Sequence, residues 1–382
     1  MKIATLLFTY NRSYHAEQVI NSLKYNSLLP HKLYVFQDGL KEGMDASEWK
    51  KVNQLIHNID WCDKEIIVSE YNKGLAASIV SGINYAFQEY DAVIVLEDDC
   101  VITADFMNYM QQCFEKYQDD KKIYSVSGYA WPFVSHKTEY DVYGCGRVSS
   151  WGWGTWKDRW RTFEKDYEIV KRMKQQKASS ENLAIWGRDL EEMLVGNVRG
   201  ELDSWAVFWA LNVIEKEGIC IAPCKSLVRN IGMDGSGVHC HVTNKFETEC
   251  MEEGTDDFFL PDKIEFLRET KEAFAPMYGS YTAIAETDMD KENILVYGAG
   301  NFYIQNEKMI NEKYNVIAFV DRKKRGWLAG RKILKADEIE QYHYDLIIIA
   351  VQSIQECQNI KQLLMNKNID TDKIVTIEDL LP

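Results

Sequence analysis

Short apolar runs alternate with amphipathic stretches up to about residue 100 of this chain. Four runs have the length of buried strands and end at polar or turn residues: 2–8, 32–37, 65–69 and 91–97. Three stretches between them carry apolar residues at helical spacing: 13–27, 46–58 and 72–89. Strands that alternate with helices predict an α/β fold with a mostly parallel sheet flanked by helices on both faces.

Polar residues follow each predicted strand. Ligands of open α/β sheets bind beyond the carboxyl ends of the strands. We therefore expect one crevice to be surrounded by four short segments: TYNR at 9–12, QDG at 37–39, NKG at 72–74 and EDD at 97–99.

A second strand–helix pattern begins at residue 292 with ENILVYGAGNF. About 90 residues suffice for a small, four-stranded, doubly wound domain. Residues 246–290 between the two patterns are acidic. We predict a first domain at 1–245, an acidic helical tail and linker at 246–290, and a Rossmann-like C-terminal domain at 291–382.

Composition narrows the function classes. The 382 residues include 44 Lys and Arg against 59 Asp and Glu, a net charge of −15, which argues against a nucleic-acid groove. No run approaches the ~20 apolar residues of a membrane helix. Nine cysteines, together with a start that lacks the features of a signal peptide, favour reduced thiols and a cytoplasmic protein.

Glu97, Asp98 and Asp99 follow the strand VIVL directly. Three consecutive carboxylates repel one another unless a cation lies among them. Mg²⁺ and Mn²⁺ prefer carboxylate oxygens and often bind through one or two of them plus substrate phosphates. The motif therefore predicts a metal–diphosphate site, and the alternative is a solvated strand end that caps the helix beginning near Ala104.

The order TYNR, QDG, NKG and EDD resembles the nucleotide-sugar-binding domain of GT-A glycosyltransferases. Within that fold, VIVLEDDCVITADFMNYM resembles N-acetylglucosaminyltransferase I and bacterial relatives that act in surface-polysaccharide synthesis. The resemblance covers roughly residues 1–245. It implies that EDD is the DXD-type motif of a UDP-sugar-dependent enzyme with a Mn²⁺ or Mg²⁺ cofactor.

The resemblance assigns the nucleotide side of the crevice. It implies that Thr9, Tyr10 and Arg12 line the base and diphosphate pocket. Asp38 would accept the N3–H of uracil, with an ordinary tight turn as the alternative. Lys73 would lie near the ribose or the diphosphate, in the first turn of a helix.

The same resemblance assigns the three carboxylates. Asp99 would bind the metal directly, and Glu97 and Asp98 would hold hydroxyls of the ribose or the sugar.

The catalytic base would be Asp203, because GELDSWAVFWALNVIEKEGICIAP resembles the family segment that carries it. Such a base deprotonates the acceptor hydroxyl as that hydroxyl attacks the anomeric carbon. A second interpretation has Asp203 capping the helix that begins at Ser204, and both interpretations can hold together. Glu201 and Asp234 are the other candidates for the base.

The loop LVRNIGMDGSGVHCH contains glycines at 232, 235 and 237, which are typical of unusual backbone angles or of close approach to a ligand. His239 lies where many enzymes of this fold place a second metal ligand or a diphosphate contact. The alternative is a structural histidine.

Four of the eleven tryptophans fall between residues 151 and 160. The resemblance places a Gly-Trp segment there, and aromatic faces stack on sugar rings. We expect Trp151 and Trp153 to contact the nucleotide-sugar and at least two of the four tryptophans to pack in the core.

The C-terminal domain resembles small Rossmann-like modules of bacterial sugar-modifying enzymes. Its YGAGNFY segment has Gly298 and Gly300 of a dinucleotide fingerprint, but Tyr303 replaces the third glycine, and Asp321 stands at the acidic position. A docking or oligomerisation module is therefore favoured over a nucleotide site.

The resemblance implies a metal-dependent, inverting glycosyltransferase that moves a hexosyl or N-acetylhexosaminyl group from a UDP-sugar to a glycan or lipid-linked glycan acceptor. A lipid-linked acceptor implies peripheral contact with the inner face of the membrane. Two alternatives are a sugar nucleotidylyltransferase, disfavoured because TYNRSYH lacks a glycine-rich triphosphate loop, and a non-catalytic nucleotide-sugar sensor. Homo-oligomerisation through the C-terminal domain is a further alternative.

Overall fold

Parallel strands lie at the centre of both units into which the chain divides. The computed structural model describes residues 1–134, 138–200, 202–234, 246–251, 255, 257–278, 291–324, 326–328, 331–342, 344–367 and 369–380. The first unit is Met1–Tyr278 and the second is Gly279–Pro382.

The first unit contains an eight-stranded sheet with the order β3-β2-β1-β4-β8-β6-β9-β7 and a two-stranded ribbon of β5 and β10. Its strands are β1 (Ile3–Thr9), β2 (Leu33–Gln37), β3 (Lys64–Val68), β4 (Ala92–Glu97), β5 (Cys100–Ile102), β6 (Ile123–Ser127), β7 (Val142–Cys145), β8 (Trp153–Trp156), β9 (Ile219–Pro223) and β10 (Val228–Asn230). The first four strands are mutually parallel, and β7 and β8 run antiparallel to their neighbours. The predicted mostly parallel sheet is confirmed, and the four strands predicted up to residue 97 are present.

Helices cover both faces of this sheet. They are α1 (Ser13–Lys24), α2 (Ser47–His57), α3 (Leu75–Ala86), α4 (Phe106–Tyr117), α5 (Lys157–Trp160), α6 (Ile169–Lys174), α7 (Lys177–Trp186), α8 (Asp189–Val198), α9 (Trp205–Glu215) and α10 (Arg268–Tyr278). The buried residues of α1 recur at helical spacing, at Ala16, Val19, Ile20 and Leu23. Strand β1 is buried on both sides, because Leu6 packs in the core on one face of the sheet and Leu7 in the core on the other.

Helix α10 packs in the core of the first unit, although the sequence places it in an acidic tail. Phe274 is fully buried, with its ring 5.4 Å from that of Trp131 and 5.1 Å from that of Trp186. The segment is acidic overall, but α10 has one buried face that includes Phe274 and Ala275. The first unit therefore extends to Tyr278 rather than ending at residue 245.

The second unit has a six-stranded sheet with the order β13-β14-β12-β11-β15-β16. Its elements are β11 (Asn293–Tyr297), α11 (Asn301–Lys313), β12 (Asn315–Val320), β13 (Gly326–Leu328), β14 (Arg331–Leu334), β15 (Leu346–Ile349), α12 (Ile354–Met365) and β16 (Ile374–Thr376), with 3-10 turns at Ala336–Gln341, Thr371–Lys373 and Glu378–Leu380. All strand pairs are parallel except β13 with β14. The hairpin of β13 and β14 is added to the four strands predicted from the sequence.

Every cysteine in the described part of the chain is a free thiol. No helix in that part is both long and apolar enough to cross a bilayer.

Candidate active site

The carboxyl ends of β1, β2 and β4 meet at one edge of the first unit's sheet. Register pairs Thr9 with Gln37 and Phe8 with Glu97, so the residues that follow each strand leave the sheet side by side. This register brings the segments TYNR, QDG and EDD together, as the sequence predicts.

Glu97, Asp98 and Asp99 form a carboxylate cluster that Arg12 neutralises in part. The Arg12 guanidinium donates to Oδ1 of Asp98 and to Oδ2 of Asp99, the latter at 2.8 Å. Burial and the charges of Asp99 and Asp98 raise the pKa of Glu97 to about 8. Burial also raises the pKa of Asp98, although Arg12 opposes that shift. One guanidinium among three carboxyl groups leaves a site that still favours a second cation.

The loop after β10 covers Asp99. Strand β10 pairs with β5, so that Asn230 lies opposite Cys100. One residue further along, the Ile231 amide donates a hydrogen bond to the Asp99 carbonyl at 2.9 Å. A Cβ added at Gly232 would lie 2.2 Å from Asp99 Oδ2 and 3.0 Å from Arg12 Nη1. Only glycine allows this approach. The glycine-rich sequence indicates a loop that approaches another group closely, but it does not indicate that this group is Asp99.

Asp38 organises the loop that carries NKG. Its carboxylate accepts hydrogen bonds from the amides of Gly39, Lys73 and Gly74, each at 2.9 Å, and from the Asn72 side chain at 3.1 Å. These four donors occupy the acceptor directions of the carboxylate. Recognition of a uracil N3–H by Asp38 would therefore require one donor to move aside.

The other residues on the nucleotide side have varied surroundings. Thr9 Oγ1 donates to the Phe36 carbonyl at 3.2 Å, which ties β1 to β2. The Tyr10 hydroxyl accepts from the Lys41 amide at 3.1 Å. The Lys73 side chain is exposed at the rim of the crevice.

Asp203 lies beside the NKG loop. It precedes Ser204, the N-cap residue of α9, and its side chain is 63% exposed. A Cβ added at Gly74 would lie 3.7 Å from Asp203 Oδ2, so the carboxylate faces the NKG loop. Lys165 Nζ lies 3.6 Å from Asp203 Oδ1. The N-cap residue of α9 is Ser204 rather than Asp203, and its side chain forms no cap hydrogen bond, so the capping role considered for Asp203 is not observed.

Asn197 holds the turn that presents Asp203, a role that the sequence did not suggest. Its Oδ1 accepts from the Ser204 amide at 2.9 Å, and its Nδ2 donates to the Met193 carbonyl at 2.8 Å. The two bonds fix the amide orientation and anchor the start of α9 to the end of α8. Asparagine is common at helix ends, so the sequence alone does not distinguish this role of Asn197 from ordinary capping.

Of the remaining candidates for the base and the metal, Asp234 is the one that lies within the described residues. Asp234 Oδ2 lies 3.1 Å from Nε2 of the buried His15 in α1, which ties the loop after β10 to that helix. Glu201 and His239 lie outside the described residues, as do Gly235 and Gly237.

The tryptophan cluster divides between core and crevice. Trp153 is fully buried in β8, stacked on Trp205 with ring centroids 5.0 Å apart, so its expected contact with substrate is wrong. The reason is that β8 lies between β4 and β6 in the sheet, where both faces are covered. Trp156 and Trp160 are also buried, as expected for at least two of the four. Trp151 lies before β8 and lines a cavity beside Asn230.

The donor groups suit a divalent ion that takes most of its ligands from a substrate. In the described part of the chain, no three His, Cys, Asp or Glu side chains are grouped to hold a metal ion. Arg12 occupies Oδ2 of Asp99, whereas Oδ1 has only long contacts, at 3.5 Å to Asn230 and 3.6 Å to Cys100. An ion bound through Asp99 and a diphosphate fits this arrangement.

The second unit departs from the dinucleotide fingerprint at Tyr303, and the burial of this side chain explains the departure. Tyr303 is fully buried against Phe319, with ring centroids 4.7 Å apart, and fills the space that a third glycine would leave open. Asp321 accepts from the amides of Ala299, Lys323 and Lys324 and so closes the loop before α11.

A family model described as "C2185-like, N-terminal" matches residues 290–375, which lie in the second unit. No curated protein matches the chain significantly. Among solved structures, the chain is similar to TarS 1–349 of S. aureus in complex with UDP-GlcNAc, at 17% identity and a TM-score of 0.26 over 33% of this chain and 34% of that one.

Two further solved structures resemble the chain. TarS 1–349 of S. aureus is similar at 12% identity and a TM-score of 0.33, over 60% of each chain. A mannosyltransferase from Pyrobaculum calidifontis, in complex with GDP-Man and Mn²⁺, is similar at 10% identity and a TM-score of 0.35, over 56% of this chain and 69% of that one. These matches span only part of the fold, about a third of the first TarS structure, so a functional assignment depends on the crevice itself.

Proposed function

We propose that this protein is an inverting glycosyltransferase of the GT-A type, which moves a sugar from a UDP-sugar to a glycan acceptor. One observation carries the proposal. The carboxylate cluster with Arg12 lies at the carboxyl end of β4, beside the ends of β1 and β2, and Asp203 faces Gly74 at the start of α3, in the loop that Asp38 holds at the end of β2. A cation site, a phosphate-binding helix end and a base are the parts that this reaction requires.

The donor diphosphate would lie between Asp99 and the first turn of α3. The exposed Lys73 ammonium and the helix N-terminus both favour phosphate there. A divalent ion on Asp99, Mn²⁺ or Mg²⁺, would offset the negative charge of the leaving diphosphate. Arg12 keeps Asp98 and Asp99 in place at the end of β4.

Asp203 would act as the general base. It accepts the proton of an acceptor hydroxyl while the hydroxyl oxygen bonds to the anomeric carbon and the bond from that carbon to the diphosphate breaks. UDP leaves on the opposite face, which inverts the anomeric configuration.

The physiological acceptor would be a glycan of bacterial surface-polysaccharide or glycoconjugate synthesis, which is the context of the relatives that the first unit resembles in sequence. The second unit would serve as a docking or oligomerisation module, because Tyr303 and Asp321 are engaged inside the fold.

A panel of UDP-sugars tests the proposal. With Mn²⁺, we expect one donor to raise the melting temperature and to be hydrolysed slowly to UDP in the absence of acceptor. Asp99→Asn should abolish both effects. Asp203→Asn should retain UDP affinity but lower turnover by about 10²–10⁴. Asp63→Asn, an exposed carboxylate before β3, is the matched control.

The outcomes separate the alternatives. Donor binding without turnover would favour a nucleotide-sugar sensor, and pyrophosphate release from UTP and a sugar phosphate would favour a nucleotidylyltransferase. Near-normal activity of Asp99→Asn would contradict the metal assignment, and full turnover of Asp203→Asn would place the base elsewhere.

A further inference from the structure

A cavity of about 540 Å³ opens beside the carboxylate cluster. Asn230, whose side-chain amide lies 3.5 Å from Asp99 Oδ1, belongs to both the cluster and the cavity wall. The volume is within the range of about 300–1,000 Å³ typical of small-molecule sites. The cavity therefore extends the proposed donor crevice on the side of β10.

Three aromatic rings, together with Val228, Ile231 and Met233, form the apolar part of the lining. Trp151 lies between Tyr129, at a centroid distance of 4.6 Å, and Phe246, at 5.8 Å, with both neighbouring rings nearly perpendicular to it. The Tyr129 hydroxyl donates to the Phe246 carbonyl at 2.8 Å. Because the rings hold one another, the aromatic surface is formed before any ligand arrives.

Backbone bonds anchor the wall that contains Phe246. The Ser226 amide donates to the Glu249 carbonyl at 3.1 Å, and the Met251 amide donates to the Ser226 carbonyl at 2.8 Å. Residues 246–251 are thereby attached to the turn before β10, which supplies the opposite wall.

Charged groups complete the lining. Arg229, Asp234 and Glu247 all border the cavity. Within the described residues, Arg229 forms no ion pair, and its side chain is exposed. A lipid chain would cover the charged ends of Arg229 and Glu247 with apolar groups, which is costly. A sugar ring instead places its C–H face on aromatic rings and its hydroxyls against polar side chains.

We propose that this cavity binds a saccharide unit of the acceptor glycan, with Trp151 as the stacking platform. The inference rests on the proposed function, because the donor sugar is tethered through its diphosphate near Asp99 and the cavity continues away from that point past Asn230. An acceptor held there presents a hydroxyl to the crevice.

Two variants of opposite kind test the cavity. Trp151→Ala removes the platform, and Thr248→Trp fills the space from a half-buried loop position. Trp61→Ala, in the loop before β3 at the opposite edge of the sheet, is the matched control. The probes are lactose, cellobiose, maltose and di-N-acetylchitobiose, followed by saturation-transfer difference NMR, with UDP as the probe of the donor crevice.

We expect the full-length protein to bind at least one disaccharide. Both cavity variants should weaken that binding by at least about tenfold, whereas Trp61→Ala should not, and UDP affinity should change in none of them. Disaccharide binding by the wild type that persists in Thr248→Trp would overturn the proposal, as would the absence of binding to every probe. If the cavity variants lost UDP binding as well as disaccharide binding, the cavity would belong to the donor site instead. Disaccharide binding by a protein that neither binds nor hydrolyses any UDP-sugar would refute the transferase and leave a saccharide site.

Discussion

Gly232 and Arg12 define how the carboxylate cluster is held at the level of single residues. Arg12 bridges Asp98 and Asp99 from one side, and the backbone at Gly232 closes on Asp99 from the other. Three acidic side chains can lie close together at one strand end because the positive guanidinium offsets part of their mutual repulsion. The geometry around Asp99 is therefore sensitive to a single methyl group.

Gly232→Ala is expected to abolish donor hydrolysis and weaken UDP binding, because its Cβ would collide with Asp99 Oδ2. The measurement is UDP release from the preferred UDP-sugar, with thermal melting as a check on folding. Gly300→Ala is the control, since a Cβ there meets nothing within 4 Å. Unchanged hydrolysis by Gly232→Ala would mean that the loop lies elsewhere during turnover.

At the level of elements, strand β8 and helix α9 together support Asp203, the proposed base. Trp153 of β8 stacks on Trp205, and Trp205 is the first residue of α9, immediately after the cap at Ser204. Asn197 anchors the same helix start from α8. The exposed Asp203 therefore stands on a rigid support.

Trp153→Ala should lower the free energy of unfolding by about 3–5 kcal/mol, because it leaves a large cavity in the core. Trp151→Ala should cost much less, since that ring is only partly buried. Denaturant titration of both variants measures the difference. Equal losses of stability would contradict the division between core and crevice.

Asn197→Ala should lower turnover while UDP affinity stays within about twofold of the wild type, because Asp203 loses its anchor and the donor crevice does not. Asn197→Asp keeps an acceptor for the Ser204 amide and should recover part of the rate. Asn366→Ala, at the end of α12, is the control for loss of a helix-end amide. A fall in UDP affinity equal to the fall in turnover would point to general disruption instead.

At the level of the whole molecule, the two units have separate hydrophobic cores. The first unit's cores lie on the two faces of its eight-stranded sheet, and the second unit's lie on the two faces of its six-stranded sheet. Ten of the eleven tryptophans belong to the first unit, and Trp327 belongs to the second. Tryptophan fluorescence therefore reports mainly on the first unit.

Phe319→Ala should destabilise the second unit by about 3–5 kcal/mol, since Phe319 is fully buried against Tyr303. Calorimetry should show one transition shifted to lower temperature, while the fluorescence transition and donor hydrolysis remain unchanged. A shift of both transitions by the same amount would mean that the units unfold together.

By itself, the sequence determined the first four strands, the helices between them and the order of polar segments at the carboxyl edge, because these depend on local periodicity and on a general rule for parallel sheets. Through resemblance to a family, it also predicted that Arg12, Asp99 and Asp203 share one crevice. Only the tertiary structure decided that Trp153 is core and Trp151 is not, because burial depends on where β8 enters the sheet. The same holds for the four donors on Asp38, the approach of Gly232 to Asp99 and the anchoring of Ser204 by Asn197, since each joins segments whose contact no local pattern encodes.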